Sequence, residues 1–578
     1  MDRVITENGR SAYTIVTSRF AHEAELYAAS TLKEYLFRAS GAVVPYFSDR
    51  CPKRSAEIRV GREARGKRGV TEGVCDDGFA VYTDGDDIVI TAPTVRGVVY
   101  GVFGFLERFL GYRYFAKDCE RIDRVERIVI PDVSFVENPA FAYRDVYFRS
   151  SLDCDFAVRN RLNSSIAHIP DERGGKIKFF NFHHSFFDLV PPDEYFADHP
   201  EYYSMIGGER TANEGQLCLT NEDVAAIATA KVKSWIAQRP DCRIFSVAQN
   251  DFERYCTCPE CTKVDEEEGS PAGTVIRFVN RIAEEVGKEY PDVLIHTFAY
   301  QYSRRAPKHV RPRRNVIVRL CDGECRWDEP MAVQKAKHPE SFASEFIDNI
   351  NDWSKICDNL YIWDYNCNFY FYILPFPNWT SLQENLRLYR DNNVKGMLQQ
   401  GNFAYGNASG LSHMQTWITS RMLWDSSQDI HSLIDEFCDG YFGKAGRMMR
   451  RYADLWENAV SGHLLRLYYA PDADFITDGL VDEAEKIFAE AFALADDDEV
   501  RRRLGVEYLS VRFLRIARMP MDAPGRDALV DRLWEDTKAA GITEIQERVH
   551  IDLSFRYLKE NPYCRPGDGY YRLYYIMK

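Results

Sequence analysis

From Pro139 to about residue 425, short apolar runs alternate with amphipathic helical stretches, and this alternation restricts the fold more than any other feature. Strands joined through helices run parallel, because each helix carries the chain back to the edge where the previous strand began. The runs are Tyr143–Phe148, Asn163–Ile169, Phe179–His183, Ile244–Ala248, Leu294–Tyr300, Val316–Leu320, Leu360–Trp363 and Lys395–Gln399. Helices are expected between several of them. One is opened by Thr220 with Asp223 and buries Val224, Ile227, Ala228, Val232 and Trp235. Another starts at Ser270-Pro271 with Val275, Phe278, Val279, Ile282 and Val286 on one face. Further helices are predicted at about 341–356, 380–391 and 410–424. Eight parallel strands with crossover helices describe a (β/α)8 TIM-like barrel. Two crossovers are short for a helix and residues 185–220 form a long excursion, which keeps a doubly wound sheet as the alternative.

The flanks read differently. In residues 1–135 an amphipathic helix with Leu26, Ala29, Leu32, Tyr35 and Leu36 stops at Gly41. Short strands follow at Ile58–Val60 and Phe79–Tyr82, then a hairpin through Asp84-Gly85-Asp86 to Ile88–Ile90. The helix Arg96 to Gly111 is apolar on nearly every face, as expected of one sandwiched between layers. These features predict a small α/β accessory domain. Residues 426–578 read as helical, giving the barrel the span 136–425.

The 578 residues carry 88 acidic against 73 basic side chains, a net charge of −15 without long blocks. That balance opposes nucleic acid and anionic membrane as partners, and no run of about 18 apolar residues offers a membrane span. The N-terminal MDRVITENGR has no apolar signal segment. With fifteen cysteines, this leads to the expectation of a cytoplasmic protein with reduced thiols. Self-association into a homo-oligomer is left open.

In parallel α/β folds the chemistry sits where strands end. The residues there include Arg144, Asp145, His183, His184, Asn250, Asp251, Tyr300, Asp322, Glu324, Trp363, Asp364 and Gln399 to Asn402. Carboxylates, amides and aromatics dominate, with no phosphate-binding glycine loop and no nucleophile elbow. Glycoside cleavage asks for such a mouth: a carboxyl acid, a second group for the developing cation and stacking platforms. Asp251, directly after the apolar run Ile244–Ala248, is the first candidate acid, with Asp364 and Asp322 as candidate partners. Asn250, His184, Arg144, Tyr300, Trp363 and Asn402 are the candidate substrate contacts. The alternative for each Asp is a helix cap, and for the histidines a buried hydrogen bond. Cys256, Cys258 and Cys261 form Cys-x-Cys-x-x-Cys. A structural zinc, completed by Cys321, Cys325 or a histidine, stands beside free thiols and a disulfide. No other cofactor is required.

Longer stretches carry a resemblance. QNDFERYCTCPECTKVDEEEGSPAGTVIRFVNRIAEEV, FAYQYSRRAPK, NVIVRLCDGEC, LYIWDYNCNFYFYILPFPN and HHSFFDLVPPDEYFADHPEYY resemble a bacterial domain-of-unknown-function family. That family includes endo-β-N-acetylglucosaminidases of glycoside hydrolase family 163. GQLCLTNEDV and RMLWDSSQDIHSLIDEFCDGYFG fit the same family, and TLKEYLFRASGAVVPYF with GVVYGVFGFLERFLGYRYF is similar to the N-terminal domain of α-glucuronidases and hexosaminidases. The resemblance implies a glycosidase acting on N-acetylhexosamine-containing oligosaccharides. In hexosaminidase-like barrels an acidic pair ends the fourth strand, its second member protonating the leaving oxygen and its first orienting the 2-acetamido group. Asn250-Asp251 occupies that place by strand count, with an amide where the first acid is expected. A uronidase, with Arg144 or a histidine gripping the sugar carboxylate, and a glycan-binding protein without turnover are the alternatives.

Overall fold

The computed structural model describes residues 2–560 apart from Arg54 and Tyr405. Strands β1 (Tyr13–Thr17), β2 (Tyr46–Ser48), β3 (Ala56–Val60), β4 (Phe79–Asp84), β5 (Asp87–Thr91) and β6 (Ser134–Glu137) form a mixed sheet in the order β6-β4-β5-β3-β1-β2. The β4–β5 turn is the expected hairpin, with Gly85 at φ 63°. Helices α1 (Glu23–Ser40) and α2 (Val95–Leu110) pack on each other and on the sheet. Gly41 ends α1 in the left-handed conformation at φ 71°. In α2, a Cβ at position 104 would come within 2.3 Å of the Phe79 ring, so glycine is what lets helix and sheet approach.

Seven strands make the larger sheet, all parallel: β7 (Tyr143–Tyr147), β8 (Phe179–Phe180), β9 (Ile244–Ser246), β10 (Leu294–Ala299), β11 (Val316–Cys321), β12 (Asn359–Tyr365) and β13 (Val394–Gln400). Their order, β7-β13-β12-β11-β10-β9-β8, places successive strands side by side and the first against the last. A doubly wound sheet reverses direction at its middle, so this sequential order excludes it. The sheet curls as a barrel does but does not close. The expected strand Asn163–Ile169 is irregular, and β7 and β8 share no ladder. Side chains span the gap instead: Arg144 N donates to Asn163 Oδ1 at 2.9 Å, Ser165 N to Tyr143 Oη at 3.2 Å, and Phe179 N to Ser165 Oγ at 2.9 Å. Asn163, Ser164 and Ser165 are short polar residues whose side chains compete for backbone partners, which is why this run leaves the sheet.

The crossover helices are α3 (Glu222–Gln238), α4 (Pro259–Glu268), α5 (Ala272–Glu289), α6 (Phe342–Ser354), α7 (Trp379–Asp391) and α8 (Ser412–Trp424). The cap of α3 is Asn221, not Thr220. Beyond residue 425 the described chain is helical apart from short turns, an irregular stretch over 461–477 and a small hairpin, Glu544–Gln546 with Val549–His550, that the sequence pattern does not predict. Side chains from all three stretches join one continuous apolar core. No helix among the described residues is long and apolar enough to cross a membrane.

Strand alternation decides which side chains see the barrel interior. Tyr143, Phe179, Ile244, Ile317 and Tyr361 cluster inside, whereas Val146, Val316, Val318, Leu320, Leu360 and Ile362 join the helix-facing core. Asp145, Arg319, His296 and Trp363 therefore point inward. Arg144, Asp322 and Asp364, one residue out of step, point toward the helices.

Candidate active site

The carboxyl ends of β8 to β13 gather a rim of polar groups over an aromatic floor. Asp251 stands on the loop after β9 with half of its side chain exposed. Tyr300 Oη donates to Asp251 Oδ1 at 3.2 Å, and His184 Nε2 lies 4.0 Å from the same oxygen. His184 is aimed by its other nitrogen, Nδ1, which lies 2.6 Å from the Gln249 carbonyl and so carries the proton. Burial, then the charges of Asp251, Cys321 and Glu324, push Tyr300 well above the ordinary tyrosine value, so it acts as a donor. Asp251 and Glu324 thus both act on one phenol. Glu324 is itself paired with Arg304 at 2.5 Å.

Half-buried rings continue the surface inward. Trp363 stacks with Phe182 at 6.0 Å between centroids, and Tyr147 stacks with Phe403 at 4.1 Å. Gln400 Oε1 accepts from Trp363 Nε1 at 2.7 Å and fixes the indole. Beneath lies a buried polar column. Arg319 is inaccessible and none of its guanidinium nitrogens has a hydrogen-bond partner among the described residues. It rests on the rings of Phe179, Tyr361 and Trp363 at 5.2–5.8 Å. Burial raises Asp145 to about 6, against the opposing pull of Tyr143 and Arg319. Burial, then Arg319, holds His296 neutral, its Nδ1 bonded to Ser246 Oγ at 3.0 Å.

Of the expected site residues, the fold brings Asp251, His184, Tyr300 and Trp363 to this mouth. Asn250 sits beside Asp251 but is turned into the loop: its Nδ2 donates to Gly215 O at 3.0 Å and its N to Gln216 Oε1 at 2.8 Å. Asn402 is spent on backbone groups, accepting from Ala404 N on its own loop and donating to Tyr372 O on the loop after β12. Arg144 is on the wrong face for a sugar. Its guanidinium pairs with Asp77 at 2.8 Å and donates to the carbonyls of Phe141, Ala142 and Arg161, tying β7 to the turn that leads into β4.

Asp364 and Asp322 are also on the helix side and fully buried. Asp364 accepts from Trp327 Nε1, Tyr365 N and Gln399 Nε2. Asp322 accepts from Tyr389 Oη at 2.9 Å and is pushed far up by burial and by the Asp364 carboxylate it faces. The two carboxyls lie together away from the mouth, so neither is placed to meet a ligand there.

The cysteine loop gathers Cys256, Cys258 and Cys261, and the fourth sulfur is Cys218, with all four sulfurs within 4.8 Å of one another. Cys321 belongs to the barrel interior and Cys325 to the main core, which corrects the expected fourth ligand.

Arg319, His296 and Asp145 are the side chains that reading only strand ends undervalued. The usable signal was a charged residue inside an apolar run, Val-Ile-Val-Arg-Leu-Cys, at the inward phase of the alternation.

A curled parallel sheet in barrel order, its carboxyl end lined by rings and hydrogen-bonded polar groups, defines the class. The chain belongs to the family described as Domain of unknown function (DUF4838), whose model matches residues 114–454. No curated protein matches it. Among solved structures it is similar to a family GH115 4-O-methyl-α-glucuronidase with specificity for decorated arabinogalactans. The identity is 10%, with 98% of this chain and 81% of that chain covered at a TM-score of 0.60. Two further similarities are weaker: a GH138 enzyme targeting pectin rhamnogalacturonan II (10% identity, 97% and 78% covered, TM-score 0.46) and a GH84 structure (12% identity, 96% and 97% covered, TM-score 0.47).

Proposed function

We propose that the protein is a glycoside hydrolase acting on N-acetylhexosamine-containing oligosaccharides, related in activity to the endo-β-N-acetylglucosaminidases of family 163, with Asp251 as the acid. The supporting observation is the Asp251 carboxyl held between Tyr300 Oη and His184 beside the Trp363–Phe182 stack. A sugar lying on these rings would cover the exposed half of Asp251 and exclude its water. As general acid its carboxyl then passes a proton to the leaving oxygen. Tyr300 holds the conjugate base as it forms. Glu324 is the second carboxylate on the same rim. The fold shared with a GH115 glucuronidase is compatible with this reading.

The test is Asp251→Asn on oligosaccharide and activated aryl substrates. A general acid predicts a loss of about 10²–10⁴ in kcat/KM where the leaving group is poor, and much less where it is activated. Full activity on both would overturn the assignment. A second reading, a uronidase, draws on the buried, unpaired Arg319 guanidinium beneath Trp363, a cation that suits a sugar carboxylate. Turnover of glucuronide but not N-acetylglucosaminide reporters would favour it. Calorimetric binding of an oligosaccharide with no product would favour a glycan-binding protein instead.

A further inference from the structure

The excursion before α3 and the loop after β9 meet in a buried knot of sulfur. Cys218, Cys256, Cys258 and Cys261 are each at most 4% exposed. The Cys218 Sγ lies 3.7 Å from that of Cys258 and 3.9 Å from that of Cys261. A disulfide would need sulfurs about 2.05 Å apart. A tetrahedral zinc with Zn–S bonds of about 2.3 Å sets its sulfurs roughly 3.8 Å apart, so the gathered sulfurs have the spacing of a metal's ligands.

The surroundings are built for thiolates. Met205 N donates to Cys256 Sγ at 3.3 Å and the Arg210 guanidinium approaches the same sulfur at 3.6 Å. Thr220 Oγ1 lies 3.2 Å from Cys261 Sγ. Four neutral thiols packed as small hydrophobes would need no cation and no aimed N–H. Local sequence prepares the site as well. Cys258 is the N-cap of α4 with Pro259 in the first turn, so Cys261 returns to the same face three residues on.

We propose that these four cysteines bind one structural zinc ion. All-sulfur, four-coordinate sites select zinc among the abundant divalent ions, and four protein ligands leave no open position for water or substrate. What the ion does follows from what it ties together. Two residues before Cys218, Gln216 Nε2 donates to the carbonyls of Asn250 and Phe252 at 3.1 and 2.8 Å, while Gln216 Oε1 accepts from Asn250 N. The zinc therefore clasps residues 203–218 to residues 249–261 and fixes the loop bearing Asp251. Only this last role, insofar as Asp251 is the acid, rests on the function proposed above.

Metal analysis of the purified full-length protein should find about one zinc per chain. Titration with a mercurial should release that zinc as four thiols react. Cys218→Ser should purify with far less zinc, while Cys321→Ser and Cys325→Ser keep it. If Cys218→Ser fails to fold, the mercurial titration of the unaltered protein still decides. Protein without metal, with four thiols freely reactive, would overturn the site, and stoichiometric iron would overturn the choice of ion. Hydrogen exchange after zinc removal should rise in 203–218 and 249–262, and unchanged exchange there would overturn the clasp. Asp251→Asn should retain its zinc, so a failed glycosidase assay leaves the metal result standing.

Discussion

Asp322 and Asp364 show how one residue of phase changes a side chain's meaning. Both follow apolar runs and both are carboxylates, yet each has the alternation phase of Val318, Leu320 and Ile362 and faces the helices. Asp322 is the member pushed furthest up, by burial and by Asp364, so of the two it is the one held neutral. Asparagine at 322 keeps an acceptor for Tyr389 Oη and supplies an N–H toward Asp364. Asp322→Asn should therefore retain catalytic activity and lie within about 1 kcal/mol of the parent in urea denaturation. Asp322→Ala should cost about 2 kcal/mol by leaving the buried Tyr389 hydroxyl without its acceptor. Loss of turnover in a fully stable Asp322→Asn protein would return this pair to the chemistry. The strand position of Asp364 was legible in the sequence. Its face was legible too, had the phase of Leu360 and Ile362 been carried two residues further.

At the scale of elements, the missing eighth strand is the informative place. Asn163 does with a side chain what a ladder would do with backbone. Its Oδ1 accepts from Arg144 N, and its Nδ2 donates to Ala142 O and Asp77 Oδ2, both at 2.7 Å. Asn163→Ala strips partners from a buried N–H and weakens the buried Arg144–Asp77 pair, so about 3 kcal/mol should be lost in denaturant unfolding. A change below about 1 kcal/mol would mean that the gap is not held this way. Strand existence was readable from apolar runs, since β7 and β9 to β13 fall on their expected positions. That Asn163–Ile169 would not pair was not readable from its apolarity. It depends on short polar side chains finding partners on β7 and β8, and those partners are distant in sequence.

For the whole molecule, buried ionisable groups set opposing pH limbs. Asp77, between Arg96 and Arg144, and Glu107, between Arg161 and Arg421, are each lowered to about 2. In both, burial raises the value and the arginines more than reverse it. Their stabilisation is present above the unfolded carboxylate range and is lost as pH falls through it toward 2. Asp145 and Glu507 are raised by burial to about 6 and about 7. Their contribution is complete below the unfolded range and is given up as pH rises to those values, about 3 kcal/mol for Glu507 at roughly 1.4 kcal/mol per pH unit. The urea midpoint should peak near pH 4–5 and decline toward pH 7. Glu507→Gln should flatten the upper limb, and an unchanged limb would show that this buried carboxyl does not govern it.

Periodicity and composition by themselves determined the kind and order of the elements: a small α/β unit, parallel strands alternating with helices, then helices. Those signals are local, a repeat of two or of 3.6 residues read over a dozen positions. The tertiary structure alone decided that the parallel sheet stays open at Asn163, that Arg144 turns away from the mouth, that Arg319 stands unpaired inside and that Cys218 joins Cys256, Cys258 and Cys261. Each of these depends on register or on a loop closing, where residues from 14 to 67 apart in the chain are brought together and no local pattern records it.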